Sequence, residues 1–349
     1  MGSSPHSVVG IMNIRFDTPV TRLLDIDVPI IQGAMAWLSE AEMVAAVCNE
    51  GGMGFLGASV MSADEFEPHV RRCSELTDRP FGVNFPLVLG DYERHLEMCL
   101  SYGVKVICVS AGSPKVLTPK IKAAGAVSLH VVPNLRLAQK AAAAGVDGLV
   151  LESYEAGGHV SSEQITAFTN IPLISRNVDL PIIAAGGIAD GYGMAAAMAL
   201  GADAVQLGTR FLATYENNAN DLYKMLVVNA KEDDAPVYSL DYHPGRALRS
   251  PFINKILELE KNGASSAEIR KLIGRGRAKL AAHEANFEEG MFYAGASACL
   301  VNELLSVHEV FDKMLNQYQE VVSDLSNQVV TEPAKAPLRV VDGSSIVSE

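Results

Sequence analysis

The chain has 349 residues, 48% of them hydrophobic and 20% charged, enough for one large globular domain with an insertion or for two domains. A net charge of -13 argues against a broad nucleic-acid or anionic-membrane surface, because such a field repels phosphates. The five cysteines are an odd number without a CxxC pair, which reads as reduced cytoplasmic thiols rather than a disulfide framework or a metal site.

The opening "MGSSPHSVVGIM" lacks the basic start and long apolar stretch of a secretory signal, and its MGSS is left out of the fold reading. No apolar run reaches the ~18 residues of a membrane span. From residue 28 to 211, eight short apolar runs alternate with helix-type stretches: "VPIIQG", "GFLGA", "FGVNF", "VKVICVSAG", "AVSLHVV", "DGLVLE", "LPIIAAGG" and "DAVQLGTRF". Their spacing of roughly 25 residues is that of one strand–helix unit in a closed barrel. Continuous Val/Ile/Leu runs imply strands covered on both faces, as in a parallel sheet. The fold class is therefore α/β, a (β/α)8 TIM barrel.

The intervening stretches carry helix signals. In "SEAEMVAAVCNEGG", Ser39 and Glu42 have the spacing of a capping box. Gly51, Gly103, Gly125, Gly145 and Gly201 each fall where a helix should end before the next strand. "RLAQKAAAAGVDGLVLE" and "GMAAAMALGADAVQLG" read as one αβ unit written twice. Past residue 212 the pattern becomes polar and helical, with no comparable β-run. The expected organisation is a barrel over 1–213 and 291–325, a small helical domain inserted after the eighth strand over 214–290, and a mobile tail over 326–349. "ASACLVNELLSVHEVFDKMLNQYQEVV" is expected to be one last helix packed back on the barrel. The cluster Lys255, Lys261, Arg270, Lys271, Arg275, Arg277 and Lys279 reads as a solvated helix face.

Barrel active sites lie at the C-terminal ends of strands. Strand one ends in "IIQGAMAW", where Gly33 lets a ligand approach the backbone and Met35 and Trp37 offer apolar contact. Strand three ends in "VNF", where Asn84 can hydrogen-bond a polar ring edge or serve as a turn residue. Cys108, in the fourth run, reads as a small buried hydrophobe. Strand six runs into "YEAGGHVSS": Glu152 closes it, Gly157 and Gly158 leave room, and His159 is carried toward the mouth. An imidazole there can move a proton or face an anion, or it is an ordinary exposed loop histidine. His6, His69, His95, His283 and His308 are read as exposed loop histidines, with His130 and His243 intermediate. Strands seven and eight end in "AAGGIAD" and "QLGTRF". Gly186, Gly187, Gly208 and Thr209 there can present main-chain N–H groups and a hydroxyl to a phosphate, or simply make tight turns. Asp190 has the position of a helix cap.

Together "PIIQGAMAW", "GGMGFLG", "PFGVNF", "EAGGH", "PIIAAGGIADGYGMAAAMALGADAVQLGTRF" and "EGMFYAGASACLVNELLSVHEVFDKM" resemble the nitronate monooxygenase family, formerly 2-nitropropane dioxygenases, which includes the flavin-dependent type II enoyl-acyl-carrier-protein reductases. The resemblance covers residues 21 to about 315 and implies FMN in the barrel mouth. It implies a phosphate site at Gly186, Gly187, Gly208 and Thr209, and counts Gln206 among the cofactor-binding residues. Gly33, Ala34 and Met35 would line the flavin ring, Asn84, Glu152, Gly157 and Gly158 would complete the site, and His159 matches the family's active-site histidine. The chain departs from the pattern in "GGHVSSEQ", which lacks a glycine two positions after the histidine, in the absence of a lysine after strand five, and in "HPGRALRS".

The first function this implies is oxidation of an alkyl nitronate, such as propionate 3-nitronate, by O2 to a carbonyl compound and nitrite. The alternative is an NAD(P)H-dependent reductase of an enoyl thioester or a quinone, toward which Trp37 and the missing lysine lean. A non-catalytic flavin-binding protein would not need the intact "GGH". The expected partner is a small molecule; the oligomeric state, a homodimer included, stays open.

Overall fold

The computed structural model describes residues 15–58, 61–87, 92–239 and 244–328. In chain order its strands are β1 (Ile30–Gln32), β2 (Met53–Gly57), β3 (Gly82–Pro86), β4 (Val106–Ser110), β5 (Val127–Val132), β6 (Gly148–Glu152), β7 (Gly158–His159), β8 (Ile182–Ala185), β9 (Ala204–Leu207), β10 (Val237–Tyr238) and β11 (Gly245–Arg246). Strands β1 to β6, β8 and β9 close into one parallel barrel, with β9 pairing back onto β1. These are the eight apolar runs of the sequence, and the TIM barrel expected from their spacing is the observed architecture.

Alternation along each strand divides the core in two. Ile31, Phe55, Cys108, Leu129, Val150 and Ile183 share one buried cluster inside the barrel. Val83, Ile107, Val132, Leu149 and Val205 pack instead between the strands and the outer helices. Both faces are thus apolar, which is why the runs read as continuous rather than alternating. Cys108 lies inside, and burial pushes its thiol up to about 12, in keeping with an inert small hydrophobe.

The two sequence-similar αβ units share a structural device. Asp147, ahead of β6, accepts a 2.9 Å hydrogen bond from the Ser128 amide on β5. Asp203, ahead of β9, does the same for the Ile182 amide at the start of β8, also at 2.9 Å. The glycines predicted to end helices do so: Gly51, Gly103, Gly125, Gly145 and Gly201 all have φ between 73° and 113°.

Four expectations are corrected. The helix Ala41–Asn49 is capped at Glu40, without a side-chain bond, and not by Ser39. Ser39 is drawn away because its hydroxyl accepts the Met35 amide at 2.7 Å and the Gln32 side-chain amide at 2.8 Å. The region after β9 is mostly helical (Asp221–Val228, Pro251–Lys261, Ser266–Ile273, Arg277–Glu284), yet it also contributes β10 and β11. Strands of two residues carry no periodic signal. The last helix is two elements, a 3-10 turn Ala296–Leu300 and a long helix Val307–Asn327, because Ser306 and Glu309 form a capping box that starts the second. That helix includes the start of the expected tail, whose residues 329–349 lie outside the described residues. Finally, His95 is buried, 3% exposed, with Nε2 3.0 Å from the Met61 carbonyl oxygen, rather than lying in an exposed loop.

His6 and His243 fall outside the described residues. No helix of the described residues is long and apolar enough to cross a membrane.

Candidate active site

The C-terminal ends of β8 and β9 stand side by side, paired through Ala185 and Gln206. Beyond β8 the chain turns through Gly186 and Gly187, whose φ values of 95° and 81° lie in the left-handed region. A side chain at Gly186 would also meet the Ala156 amide nitrogen at 2.9 Å, so glycine is required twice over. Asp190 then caps the helix Gly191–Ala199, accepting the Gly193 amide at 2.8 Å as expected. Among the described residues, the N–H groups of Gly187, Ile188, Gly208 and Thr209 have no main-chain acceptor. The Thr209 hydroxyl accepts the Gly295 amide at 2.9 Å, which occupies one of its lone pairs and leaves its proton free to donate. Unpaired donors gathered at two strand ends suit an oxyanion.

The β1 loop forms the adjoining wall. Gly33 donates to the Leu207 carbonyl at 3.0 Å and lies flat against Gln206, whose side-chain nitrogen would be 2.9 Å from a β-carbon there. The Met35 sulfur would lie 3.6 Å from a β-carbon placed at Gly208. Ala34 packs on the interior cluster. Trp37, which the sequence offers as a ligand contact, instead turns to the helix Arg277–Glu284. Its ring meets His283 edge-on at 5.5 Å and Lys279 Nζ at 4.9 Å, with its own backbone at φ 65°. Arg277 is likewise not a solvated residue: its guanidinium sits 4.0 Å over the Phe252 ring and pairs with Glu289.

The floor of the mouth is made by strand-end side chains. Asn84 on β3 is a strand residue, not a turn, and its Oδ1 accepts the Ser110 hydroxyl at 3.1 Å. Its amide also meets the Cys108 thiol, which leaves one N–H for a further partner. Glu152 ends β6 across the mouth, where burial pushes its carboxyl up to about 7. His130 is a core residue on the outer side of β5, 5% exposed and pushed down to about 4 by desolvation.

His159 is placed by a small sheet rather than by the barrel. Strand β7 pairs antiparallel with β11, and β11 with β10; Gly245 stands opposite His159 and Arg246 opposite Gly158. The Val160 amide extends the pairing to the Pro244 carbonyl at 2.9 Å. Gly157 lies against the 294–295 backbone, where a β-carbon would come within 2.5 Å of the Ala294 carbonyl carbon. His159 is exposed, its ring 6.3 Å from that of Tyr293. Arg246 locks the sheet to the β6 loop. Its guanidinium donates to the Ala235 and Tyr154 carbonyls at 2.7 and 3.1 Å and covers the Tyr154 ring.

The structure therefore brings together the β1, β8 and β9 residues as one wall and sets Asn84 on β3 and Glu152 at the end of β6, with β4 and β5 between them in the barrel. It ties the glycines before His159 to the 293–296 segment. Sequence reading gave no role to Tyr238, Gly245, Arg246, Tyr293 and Gly295; the available signals were the stretch "HPGRALRS" and the small-residue run "YAGASA" following the helical region. Among the described residues no cluster of His, Cys, Asp and Glu could hold a metal ion.

The chain is similar to several known proteins. FabK of Thermotoga maritima has a solved structure that superposes with a TM-score of 0.85 at 37% identity, covering 90% of this chain and 100% of that one. A Mycobacterium tuberculosis protein, (3aS,4S,5R,7aS)-5-hydroxy-7a-methyl-1-oxo-octahydro-1H-indene-4-carboxyl-CoA dehydrogenase, is 34% identical over 259 residues, 74% of this chain and 73% of its own. The nitronate monooxygenase of Paraburkholderia phytofirmans is 30% identical over 356 residues, covering 87% of this chain and 97% of its own. The description "Nitronate monooxygenase" matches residues 17–93 and 87–317. The chain is an oxidoreductase of the nitronate monooxygenase family.

Proposed function

We propose that the chain is an FMN-dependent reductase that takes electrons from NAD(P)H and saturates the carbon–carbon double bond of an acyl thioester. The observation that carries FMN is the set of unpartnered main-chain donors at the ends of β8 and β9, with the Thr209 hydroxyl free to donate. In this reading Gly186, Gly187, Gly208 and Thr209 hold the phosphate. Gly33, Ala34, Met35 and Gln206 line the ring, and Asn84, Glu152, Gly157 and Gly158 complete the pocket. The bound flavin supplies two-electron chemistry, relaying the equivalents of one hydride. The balanced reaction consumes NAD(P)H, one proton and the enoyl thioester and yields NAD(P)+ and the saturated thioester. His159, exposed at the mouth and fixed by the β7–β11 pairing, supplies the proton to the thioester α-carbon. The helices over 214–290 act as a cover that excludes water from the mouth.

The substrate class rests on two supports. The relatives at 37% and 34% identity are FabK, an enoyl-acyl-carrier-protein reductase, and a dehydrogenase of a CoA thioester, whereas the nitronate monooxygenase stands at 30%. In addition, the Arg246 guanidinium, opposite Gly158, gives Nη1 and Nη2 to backbone carbonyls and keeps only a buried Nε unspent, so it is not presented as an open fork to a small anion. A second reading, oxidation of an alkyl nitronate by O2, is favoured by the family description over almost the whole chain. Anaerobic mixing of the FMN-loaded protein with NADH or NADPH, then with propionate 3-nitronate, separates them. Bleaching by a reduced nicotinamide and reoxidation by crotonyl-CoA is the expected result. Flavin that stays oxidised with both nicotinamides but bleaches with the nitronate overturns it.

A further inference from the structure

The geometry points to Tyr293 as a further catalytic residue: its hydroxyl, backed by that of Tyr238, is a preset hydrogen-bond donor for the oxygen of the substrate on which negative charge gathers. Tyr293 stands between the two halves of the site. Two residues on, Gly295 donates to the Thr209 hydroxyl at 2.9 Å, and the Tyr293 ring lies 6.3 Å from that of His159. Its backbone is fixed on both sides, by a bridge to Ala247 and by the buried Tyr223 hydroxyl, which donates to the Tyr293 carbonyl at 2.8 Å.

The direction of the hydroxyl pair gives the inference its chemistry. The Tyr293 hydroxyl donates toward the Met291 sulfur at 3.9 Å, so in its pairing with the Tyr238 hydroxyl it is the acceptor. Among the described residues that sulfur is the only acceptor given to this proton, a weak one at long range. A substrate carbonyl at the mouth is a far better one. A phenol that already accepts a hydrogen bond polarises its own O–H and donates more strongly, and in a desolvated setting such chains reinforce each other. Tyr238 is buried and its hydroxyl is hemmed in by Gly245 on β11, the residue opposite His159. The backing donor and the imidazole are therefore held by the same three strands. No proton leaves Tyr293: it stabilises the oxygen of the thioester, or of a nitronate, while His159 handles the proton at carbon.

This rests on the reading above for its substrate but not for its geometry. The test uses the FMN-loaded protein and the variants Tyr293→Phe, Tyr238→Phe and the pair. Benzoate, an inert anion with its charge on oxygen, is titrated against the flavin spectrum, and turnover of crotonyl-CoA with NADH is measured alongside. All variants should keep FMN. Tyr293→Phe should weaken benzoate binding about tenfold or more and lower kcat about 10²-fold with KM within a fewfold. Tyr238→Phe should show a smaller loss of the same kind, and the double variant should be no worse than Tyr293→Phe. Wild-type benzoate binding and turnover in Tyr293→Phe, or losses that simply multiply in the pair, would overturn the proposal. A wild type that binds benzoate with this dependence on Tyr293 yet does not reduce crotonyl-CoA sinks the thioester reading and leaves the donor standing.

Discussion

Gly245 faces His159 across the β7–β11 pairing while the Tyr238 hydroxyl fills the space where a Gly245 side chain would stand, only 2.3 Å from the ideal β-carbon position. The residue that fixes the histidine is thus also the one that admits the tyrosine pair. Gly245→Ala should expel the Tyr238 hydroxyl and part its contact with Tyr293. Overpacking of this kind costs about 1–3 kcal/mol, so the melting midpoint should fall by several degrees. Turnover should drop more than stability explains, with FMN still bound. Calorimetry and steady-state kinetics on one preparation check this, and an unchanged kcat would sever Gly245 from the site.

Thr209 is the single side chain in the proposed phosphate cradle, and it also receives the Gly295 amide. Thr209→Val keeps the shape but removes a donor to the phosphate and strands a buried N–H. Hydrogen bonds to charged groups contribute about 1.5–3 kcal/mol, so FMN should bind about 10- to 100-fold more weakly. Thr209→Ser should restore it. Quenching of flavin fluorescence on binding gives both constants, and equal affinity in the valine variant would remove Thr209 from the cradle.

The barrel was legible because every strand is buried on both faces, so runs such as "DGLVLE" stand out without any partner being known. The turn after β8 was legible because the pair Gly186–Gly187 follows such a run, and both residues take left-handed φ values there. The sheet that places His159 was not. Val237–Tyr238, Gly245–Arg246 and Gly158–His159 are two-residue strands too short to show a period, and the one that carries His159 finds its partner in a distant part of the sequence. Ser39 shows the opposite failure. Its spacing to Glu42 satisfies a local rule, but the Gln32 and Met35 amides compete for the hydroxyl and take it. Trp37 reads as a ligand contact until the distant Lys279 and His283 are seen against it.

Glu152 ties the site to pH. Burial pushes its carboxyl from 4.5 up to about 7. A folded-state value above the unfolded one means that the native state holds the proton more tightly. That contribution is complete below the unfolded value and is lost as pH rises through about 7. The FMN-free protein should therefore lose stability on the alkaline side, by up to about 3 kcal/mol. Glu152→Gln, neutral at every pH and nearly isosteric, should flatten this loss. Chemical denaturation across neutral pH reads it directly, and parallel wild-type and Gln curves would refute the assignment.

His308 predicts a second, weaker pH dependence far from the mouth. On the long C-terminal helix it meets Glu50 through Nδ1 at 3.0 Å and Asp312 through Nε2 at 3.4 Å, so the helix is stapled to the end of Ala41–Asn49. The Glu50 hydrogen bond leads the raising of its pKa, with the charges of Glu50, Asp312 and Glu309 adding to it. The staple is thus fully formed below the ordinary histidine value of about 6.5 and dissolves as pH climbs past the raised one. The side chains are partly exposed and screened, so the gain is below about 1 kcal/mol. His308→Gln should erase a shallow fall in stability on the alkaline side of the ordinary histidine value while leaving turnover untouched. High salt should shrink the wild-type effect, and a salt-independent fall that survives in the variant would assign it to another group.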